Sequence, residues 1–135
     1  MQWDKRTKWV CTLTATALYF SAASVLKYSY TTPPEPPGKK ILLQRPFGRY
    51  GKFGASVRLP ELSAFADRFG EDSRSGLLVY ENDRPLGPPH RPHGEIAELG
   101  HGRFSHREDV VAFSSSDGTD ANINGRKYWA LLPDK

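Results

Sequence analysis

Residues 109–132 have the sequence DVVAFSSSDGTDANINGRKYWALL, and this stretch decides the fold class. Two short runs of aliphatic and aromatic residues, 109–114 and 127–132, enclose a segment of serine, glycine, asparagine and aspartate that is typical of turns. Three similar runs occur upstream, at 40–44, 55–59 and 76–81. Short strands separated by turn residues predict a mainly β protein with a small antiparallel sandwich or jelly-roll-like domain.

One segment of this domain has helical periodicity. Pro60 is suited to the first turn of a helix. Four apolar residues follow it at helical spacing: Leu62, Phe65, Ala66 and Phe69. The pattern predicts one short helix over residues 60–69, and residues 95–99 add a further helical turn.

The chain begins with a membrane or export signal. Residues 9–26, WVCTLTATALYFSAASVL, contain no charge and follow the basic residues Lys5, Arg6 and Lys8. A basic head before an apolar run of about 17 to 25 residues is typical of a transmembrane signal-anchor. A cleaved signal peptide is the alternative, because Ser21-Ala22-Ala23 provides small residues at both positions that a signal peptidase recognises.

These features divide the chain into four segments. We expect a basic cytoplasmic head (1–8), the membrane segment (9–26), a proline-rich linker (27–38) and a β-rich domain (39–135). Four prolines in the linker favour an extended spacer of about 20 to 25 Å. The basic cluster directly abuts the apolar run, whereas only Lys27 does so on the other side. We therefore expect a single-pass membrane protein with its C-terminal domain outside the cytoplasm.

Positive charge is concentrated after the membrane segment. Residues 27–58 carry seven basic side chains and one acidic one, a net charge of +6, whereas residues 59–135 carry nine basic and thirteen acidic side chains, a net charge of −4. A solvated basic linker is the simplest interpretation of this asymmetry, and contact with anionic membrane lipid headgroups or an anionic glycan is the alternative. Nucleic acid is not an expected partner, because only residues 45–52, RPFGRYGK, combine basic and stacking side chains.

Aromatic and basic residues in the C-terminal half are the candidate ligand contacts. Flat aromatic rings beside hydrogen-bonding groups suit sugars, because each ring offers an apolar face and a polar edge. Core packing accounts for most aromatic residues of a small domain, so few of them need a functional role. The residues that we select as ligand contacts are Arg103, Arg126, Tyr128 and Trp129.

An oxygen-rich turn is the one candidate cation loop. Asp117, Asp120, Asn122 and Asn124 alternate with other residues before Gly125, as in the opening of a calcium loop. The twelfth position from Asp120 is Leu131, where an EF-hand needs glutamate, so an EF-hand is excluded. A looser calcium site is the alternative to a metal-free turn, and we expect the turn, with a positive φ at Gly125 and no cofactor in the protein.

All four histidines, His90, His93, His101 and His106, fall within seventeen residues. Their irregular spacing favours surface or structural roles over a zinc site. Serines lie near them, but no Gly-x-Ser-x-Gly motif accompanies them, so we assign no catalytic residue. The sequence leaves enzymatic activity open and favours a non-enzymatic role.

Four stretches resemble a small β-rich module of bacterial proteins that occurs in a surface glycan or transferase context. They are LVYENDRPLGPPH (78–90), GRFSH (102–106), FSSSDGTD (113–120) and NGRKY (124–128), about half of the chain. The resemblance implies a β-rich ancillary domain and transfers no activity. The chain departs from the module at Arg107, where the module has an aromatic residue.

Together these observations predict a membrane-anchored, exported binding or assembly module for a surface polysaccharide or an envelope protein. The alternative is a fragment of an envelope hydrolase or transferase that uses the histidine-rich segment.

Overall fold

One long helix, α1 (Lys5–Ser29), dominates the first part of the chain. The structure, a computed structural model, describes residues 4–29 and 31–134 and divides between Pro34 and Glu35 into two units. Helix α1 has no buried residue and contains an 18-residue window with a mean hydropathy of 1.5, so it is long and apolar enough to cross a membrane. A signal sequence has the same length and composition. Residues 1–3 of the expected basic head lie outside the described residues.

Five hydroxyl groups in the apolar run of α1 are hydrogen-bonded within the helix. Five serine and threonine side chains donate to the backbone carbonyl four residues earlier, at 2.7 to 2.9 Å. These residues are Thr12, Thr14, Thr16, Ser21 and Ser24. A donor that is satisfied in this way adds little to the free-energy cost of placing the helix in a bilayer. The polar residues of the segment are therefore compatible with a membrane span.

The second unit contains eight strands and two short helices. The strands are β1 (Gly38–Leu42), β2 (Gly48–Tyr50), β3 (Gly54–Arg58), β4 (Leu78–Glu81), β5 (Arg84–Pro85), β6 (Phe104–Arg107), β7 (Val110–Phe113) and β8 (Tyr128–Pro133). A 3₁₀ helix spans Pro60–Phe65, and an α-helix, α2, spans His93–Leu99.

The strands form two antiparallel sheets of four strands each. The first sheet has the order β1-β8-β4-β5, and the second has the order β2-β3-β7-β6. In the first sheet, the C-terminal strand β8 lies between β1 and β4 and pairs with both. The sequence prediction of a mainly β, antiparallel unit after an apolar helix is confirmed.

Both sheets contribute to one hydrophobic core. Alternate residues of β1, β3, β4, β7 and β8 point into it, as the pleat of a β-strand requires, and β6 contributes Phe104. The buried cluster consists of Leu43, Phe47, Ala55, Leu59, Leu62, Leu77, Val79, Phe104, Val111, Phe113, Ala121, Tyr128 and Ala130. Helix α2 buries Ile96 and Ala97 and lies against β3, β6 and β7 of the second sheet.

Two helical predictions differ from the structure. The predicted helix over residues 60–69 is a 3₁₀ helix that ends at Phe65, because Ala66 has an extended conformation and the Asp67 N–H donates to the carbonyl of His106. Phe65 and Phe69 are consequently exposed. The predicted turn at residues 95–99 belongs to α2, which begins earlier, at His93.

The linker has no regular secondary structure between residues 31 and 36. Its last residues belong to the second unit, since Pro37 accepts a hydrogen bond from the Asp134 N–H at 3.0 Å. Glu35 also pairs with Lys40 of β1 at 2.9 Å. Strand β1 starts at Gly38, one residue before the predicted start of the domain, and Lys135 at its predicted end lies outside the described residues.

Candidate functional site

The outer face of the first sheet carries a row of apolar side chains around Trp129. Trp129 lies opposite Leu42 of β1 and opposite Tyr80 of β4, and Tyr80 lies opposite Pro85 of β5. The neighbour of Trp129, Tyr128, belongs to the core, so by strand alternation these four residues project to the other face. We call Leu42, Trp129, Tyr80 and Pro85 the tryptophan row.

Charged groups border the tryptophan row. The Lys40 ammonium lies 4.8 Å from the centroid of the Trp129 ring and 2.9 Å from the Glu35 carboxylate. Burial raises the pKa of Tyr80, Glu35 raises it further, and Lys40 opposes the rise. The row therefore combines an apolar strip with one cation and one anion.

Trp129 is the accessible aromatic residue of this row. Its side chain is partly exposed, whereas Tyr80 is only 6% exposed. The Lys40 ammonium lies over the indole ring, so a sugar can pack its C–H face against the remaining exposed part of the ring while the ammonium and the Glu35 carboxylate bind its hydroxyls. Among the four ligand contacts selected from sequence, Trp129 is the one at this surface.

Tyr128 has a structural environment. It is fully buried, and its ring lies 4.9 Å from Phe113 and 5.9 Å from Phe47, measured between centroids. Its hydroxyl donates to Glu81 at 2.9 Å and accepts from the Asn124 side chain at 2.7 Å. Burial raises the pKa of Tyr128, and the structure brings this residue to the core rather than to Trp129.

Arg126 lies between two carboxylates. Its guanidinium is 3.1 Å from Glu81 and 2.6 Å from Asp117. Hydrogen bonds from Arg126 and Thr119 hold the pKa of Asp117 well below its usual range. Glu81 also accepts hydrogen bonds from the Ser116 N–H and hydroxyl. The charge of Arg126 is thus compensated inside the protein.

Arg103 lies apart from the other three predicted contacts, at the junction of α2 and β6. Its Nη1 donates to the carbonyl of Gly100 at 3.0 Å, and Glu95 lies 4.0 Å from its Nε. The structure therefore brings Arg126 and Tyr128 together at Glu81 and places Arg103 and Trp129 elsewhere.

The side-chain oxygens of the candidate cation loop accept hydrogen bonds from protein donors. Asp120 accepts from the Asn122 N–H at 2.9 Å and pairs with Arg49 at 3.2 Å. The Asn122 side chain exchanges two hydrogen bonds with the backbone of Phe47, and Asn124 accepts from the Arg126 N–H.

The four candidate side chains of the loop have separate hydrogen-bonding roles. Asp117, Asp120, Asn122 and Asn124 each fix a different part of the chain, which suits a turn held by its own hydrogen bonds. Within residues 4–29 and 31–134, no group of three or more His, Cys, Asp or Glu side chains could hold a metal ion. Gly125 has a φ of 72°, as the sequence predicts.

Two histidines join a buried polar cluster around Asp67. The Asp67 carboxylate lies 2.7 Å from His90 Nδ1 and accepts from the Ser75 N–H at 2.7 Å. The Ser75 hydroxyl is 2.8 Å from His106 Nδ1. Burial lowers the pKa of His106, with Asp67 acting in the opposite direction.

This cluster has the residue types of a hydrolase site but little access to solvent. Ser75 and His106 are 5% and 1% exposed, and a nucleophile must reach its substrate. The two remaining histidines lie elsewhere on the domain surface, His93 at the start of α2 and His101 in the turn after it. The hydrogen bonds of Asp67 and His106 to Ser75 instead hold the segment that leads into β4 in place.

Comparison of the chain with family models, with curated proteins and with solved structures found no match. The function is therefore argued from the arrangement of the residues themselves.

Sequence reasoning missed Tyr80, Lys40 and Glu35 as neighbours of Trp129. The run at 76–81 has apolar residues at both alternating sets of positions, so its pattern does not reveal which side faces solvent. Strand register supplies this information, because it fixes Tyr80 opposite Trp129.

Proposed function

We propose that this chain is a membrane-anchored, exported binding module that holds a surface polysaccharide on the tryptophan row. The observation that carries the proposal is the outward, partly exposed Trp129 ring with Lys40 over it and Glu35 beside Lys40. A polymer of sugars can lie along such a strip, since the row crosses all four strands of the sheet. We further propose that the two sheets pack as a sandwich, which their shared core supports.

The proposed anchor is helix α1, retained in the mature protein. Support comes from its length of 25 residues and from the basic residues Lys5, Arg6 and Lys8 ahead of the apolar run. With that orientation, the β-rich domain lies outside the cytoplasm. Alkaline phosphatase fused after Lys135 should be active, and the protein should stay with the membrane fraction at high salt. An inactive fusion would contradict the orientation, and a soluble protein that starts near Ser24 would show cleavage.

The glycan proposal is tested with the full chain in detergent micelles on an array of surface polysaccharides. Trp129→Ala should weaken binding by at least about tenfold, because a central tryptophan commonly dominates a binding surface. Phe69→Ala is the matched control, since Phe69 is also aromatic and is fully exposed outside the row. Equal binding by the wild type and Trp129→Ala would refute the site.

The alternative of an envelope hydrolase or transferase fragment has less support. Its residues would be Ser75 and His106, and both side chains are buried. Hydrolysis of a bound polysaccharide that is abolished by Ser75→Ala would favour this alternative over a binding module.

A further inference from the structure

A second surface feature, separate from the tryptophan row, lies where the linker enters the β-rich domain. It is a groove of about 580 Å³. Phe65, Leu132 and Pro133 give it apolar walls, and Lys39 and Arg74 add two cations. Volumes of about 300 to 1,000 Å³ are typical of sites for small molecules. We call this feature the linker groove.

The linker groove opens from the inner side of the first sheet. Lys39 lies opposite Leu132 in the register of β1 and β8, and Leu132 packs against the core. Lys39 therefore projects on the core side of the sheet, at its end, where an apolar side chain would ordinarily continue the core. Phe65 is 42% exposed at the same place. An apolar opening with an inward lysine fits a molecule that has both an apolar and an anionic part.

The two cations of the groove are only weakly compensated. Within the described residues, Lys39 has no carboxylate partner within 4.0 Å, and the Nε of Arg74 is 3.8 Å from Glu71. Among the described residues, Asp134 is the one acid that lines the groove. In contrast, Lys40 pairs with Glu35 at 2.9 Å. Lys39 is therefore the cation of the groove that is available to an anionic group, with Arg74 beside it.

The linker enters the β-rich domain at the groove. Lys39 is the second residue of β1 and follows the last residue of α1, Ser29, by ten positions in the sequence. The Asp134 N–H donates to the carbonyl of Pro37, the residue before β1, at 3.0 Å. The groove thus lies at the end of the domain that is next in the sequence to the proposed membrane anchor.

We propose that the linker groove binds the headgroup region of an anionic phospholipid of the membrane in which α1 is anchored. Lys39 and Arg74 contact the phosphate, and Phe65 and Leu132 contact the glycerol and the first methylenes of the acyl chains. Such a contact fixes the orientation of the domain on the bilayer and leaves the tryptophan row, on the opposite face of the first sheet, open to its ligand. This inference rests on the membrane anchoring proposed above and adds the partner of a second site.

The test uses the full chain in a polyoxyethylene detergent and native mass spectrometry. Phosphatidylglycerol and phosphatidylcholine with identical acyl chains are added in equal amounts, and the retained lipids are counted. We expect the wild type to retain phosphatidylglycerol preferentially. Lys39→Gln and Arg74→Gln should each lower this preference by about fivefold, the effect of one cation near an anionic lipid surface. Asp134→Asn should raise it.

Lys52→Gln is the matched control, because it removes one positive charge from the domain at a residue that does not line the groove. Each variant is measured at the same number of degrees below its own melting temperature, so that unfolding is not mistaken for a loss of binding. Equal preference in the wild type and the Lys39→Gln, Arg74→Gln double variant, or an equal loss in Lys52→Gln, would overturn the proposal. If glycerol 1-phosphate displaces bound phosphatidylglycerol as effectively as added phosphatidylglycerol does, the groove binds a free phosphate ester, and the lipid assignment is overturned.

The two proposed sites fail separately in these experiments. The Lys39→Gln, Arg74→Gln variant should keep its polysaccharide binding, and Trp129→Ala should keep its preference for phosphatidylglycerol. Loss of lipid preference in Trp129→Ala would contradict a separate lipid site.

Discussion

Glu81→Gln tests whether the buried carboxylate of Glu81 holds the loop 114–126 against the first sheet. Glu81 is 5% exposed and accepts hydrogen bonds from the Ser116 N–H and hydroxyl, from Tyr128 at 2.9 Å and from Arg126 at 3.1 Å. Glutamine has nearly the same shape. It removes the negative charge and replaces one acceptor oxygen by a donor, which faces the Ser116 hydroxyl.

The expected loss of stability follows from the hydrogen bonds that change. Hydrogen bonds to a charged group contribute about 1.5 to 3 kcal/mol, against about 0.5 to 1.5 kcal/mol between neutral groups. The bonds from Ser116 and Tyr128 therefore lose about 1 kcal/mol each. Arg126 keeps Asp117 as a partner and is 29% exposed, so its contribution is small. We expect a total of about 2 to 3 kcal/mol, or a fall in melting temperature of about 10 to 20 °C for a domain of this size.

Thermal unfolding of the full chain, followed by circular dichroism, measures this effect. Asp83→Asn is the control, because it makes the same chemical change at an exposed carboxylate near Glu81 in the chain. Burial alone would raise the pKa of Glu81, but hydrogen bonds from Ser116, Tyr128 and Arg126 outweigh it and lower the pKa. The stabilisation is therefore complete above the unfolded pKa of about 4.3 and is lost as the pH falls through the lower folded value.

The wild type and Glu81→Gln should consequently converge in stability under acid conditions. A difference below about 1 kcal/mol at neutral pH would refute the assigned role, since it is less than the change expected for two charged hydrogen bonds. A difference that persists unchanged at acid pH would refute the electrostatic part of the reasoning.

Three further predictions concern the loop and the buried histidine. Gly125→Ala should lower the free energy of unfolding by about 1 to 2 kcal/mol in a denaturant titration, because φ is 72° at this residue. A steric clash does not contribute, since no atom lies within 4 Å of the added methyl group. The control is Gly94→Ala, inside α2, which should be neutral or stabilising. A chelator should leave the melting temperature unchanged, and a calcium-dependent rise that Asp120→Ala abolishes would contradict the metal-free loop. His106→Gln should reduce the loss of stability as the pH falls below about 6.5, because burial lowers the folded pKa of His106; an unchanged pH profile would contradict this.

Five of the strands were predictable from sequence, whereas β2, β5 and β6 were not. The five predicted runs coincide with β1, β3, β4, β7 and β8 to within two residues at each end. Strand β6, Phe104–Arg107, has only one apolar residue, and β5 contains a proline and has two residues. These strands form because a neighbouring strand pairs with them, which a pattern of residue types does not reveal.

The candidate site was less predictable than the fold, because it depends on which side of a strand faces the core. Tyr128 and Trp129 are adjacent and aromatic, and the sequence gives no reason to separate them. Packing separates them: Tyr128 reaches the Glu81 carboxylate inside the protein, and Trp129 consequently points outward. A shift of the register by one residue would exchange their roles.

The positive charge of residues 27–58 illustrates a second limit of sequence reasoning. Arg45 donates to the backbone carbonyls of Ala121 and Arg126, so it serves as an internal brace. Arg49 and Arg58 pair with Asp120 and Asp109, which lie far away in the sequence.

The fold thus compensates much of the charge that a count of residues assigns to the surface. The ion pairs of the folded chain decide which positive charges are available to an anionic partner. At the linker groove these charges are those of Lys39 and of Arg74, and Arg74 lies outside the basic segment 27–58. Among the described residues, Lys39 has no carboxylate within 4.0 Å, and Arg74 has only the 3.8 Å contact of its Nε with Glu71, so the lipid preference should follow these two cations rather than the total charge of the segment.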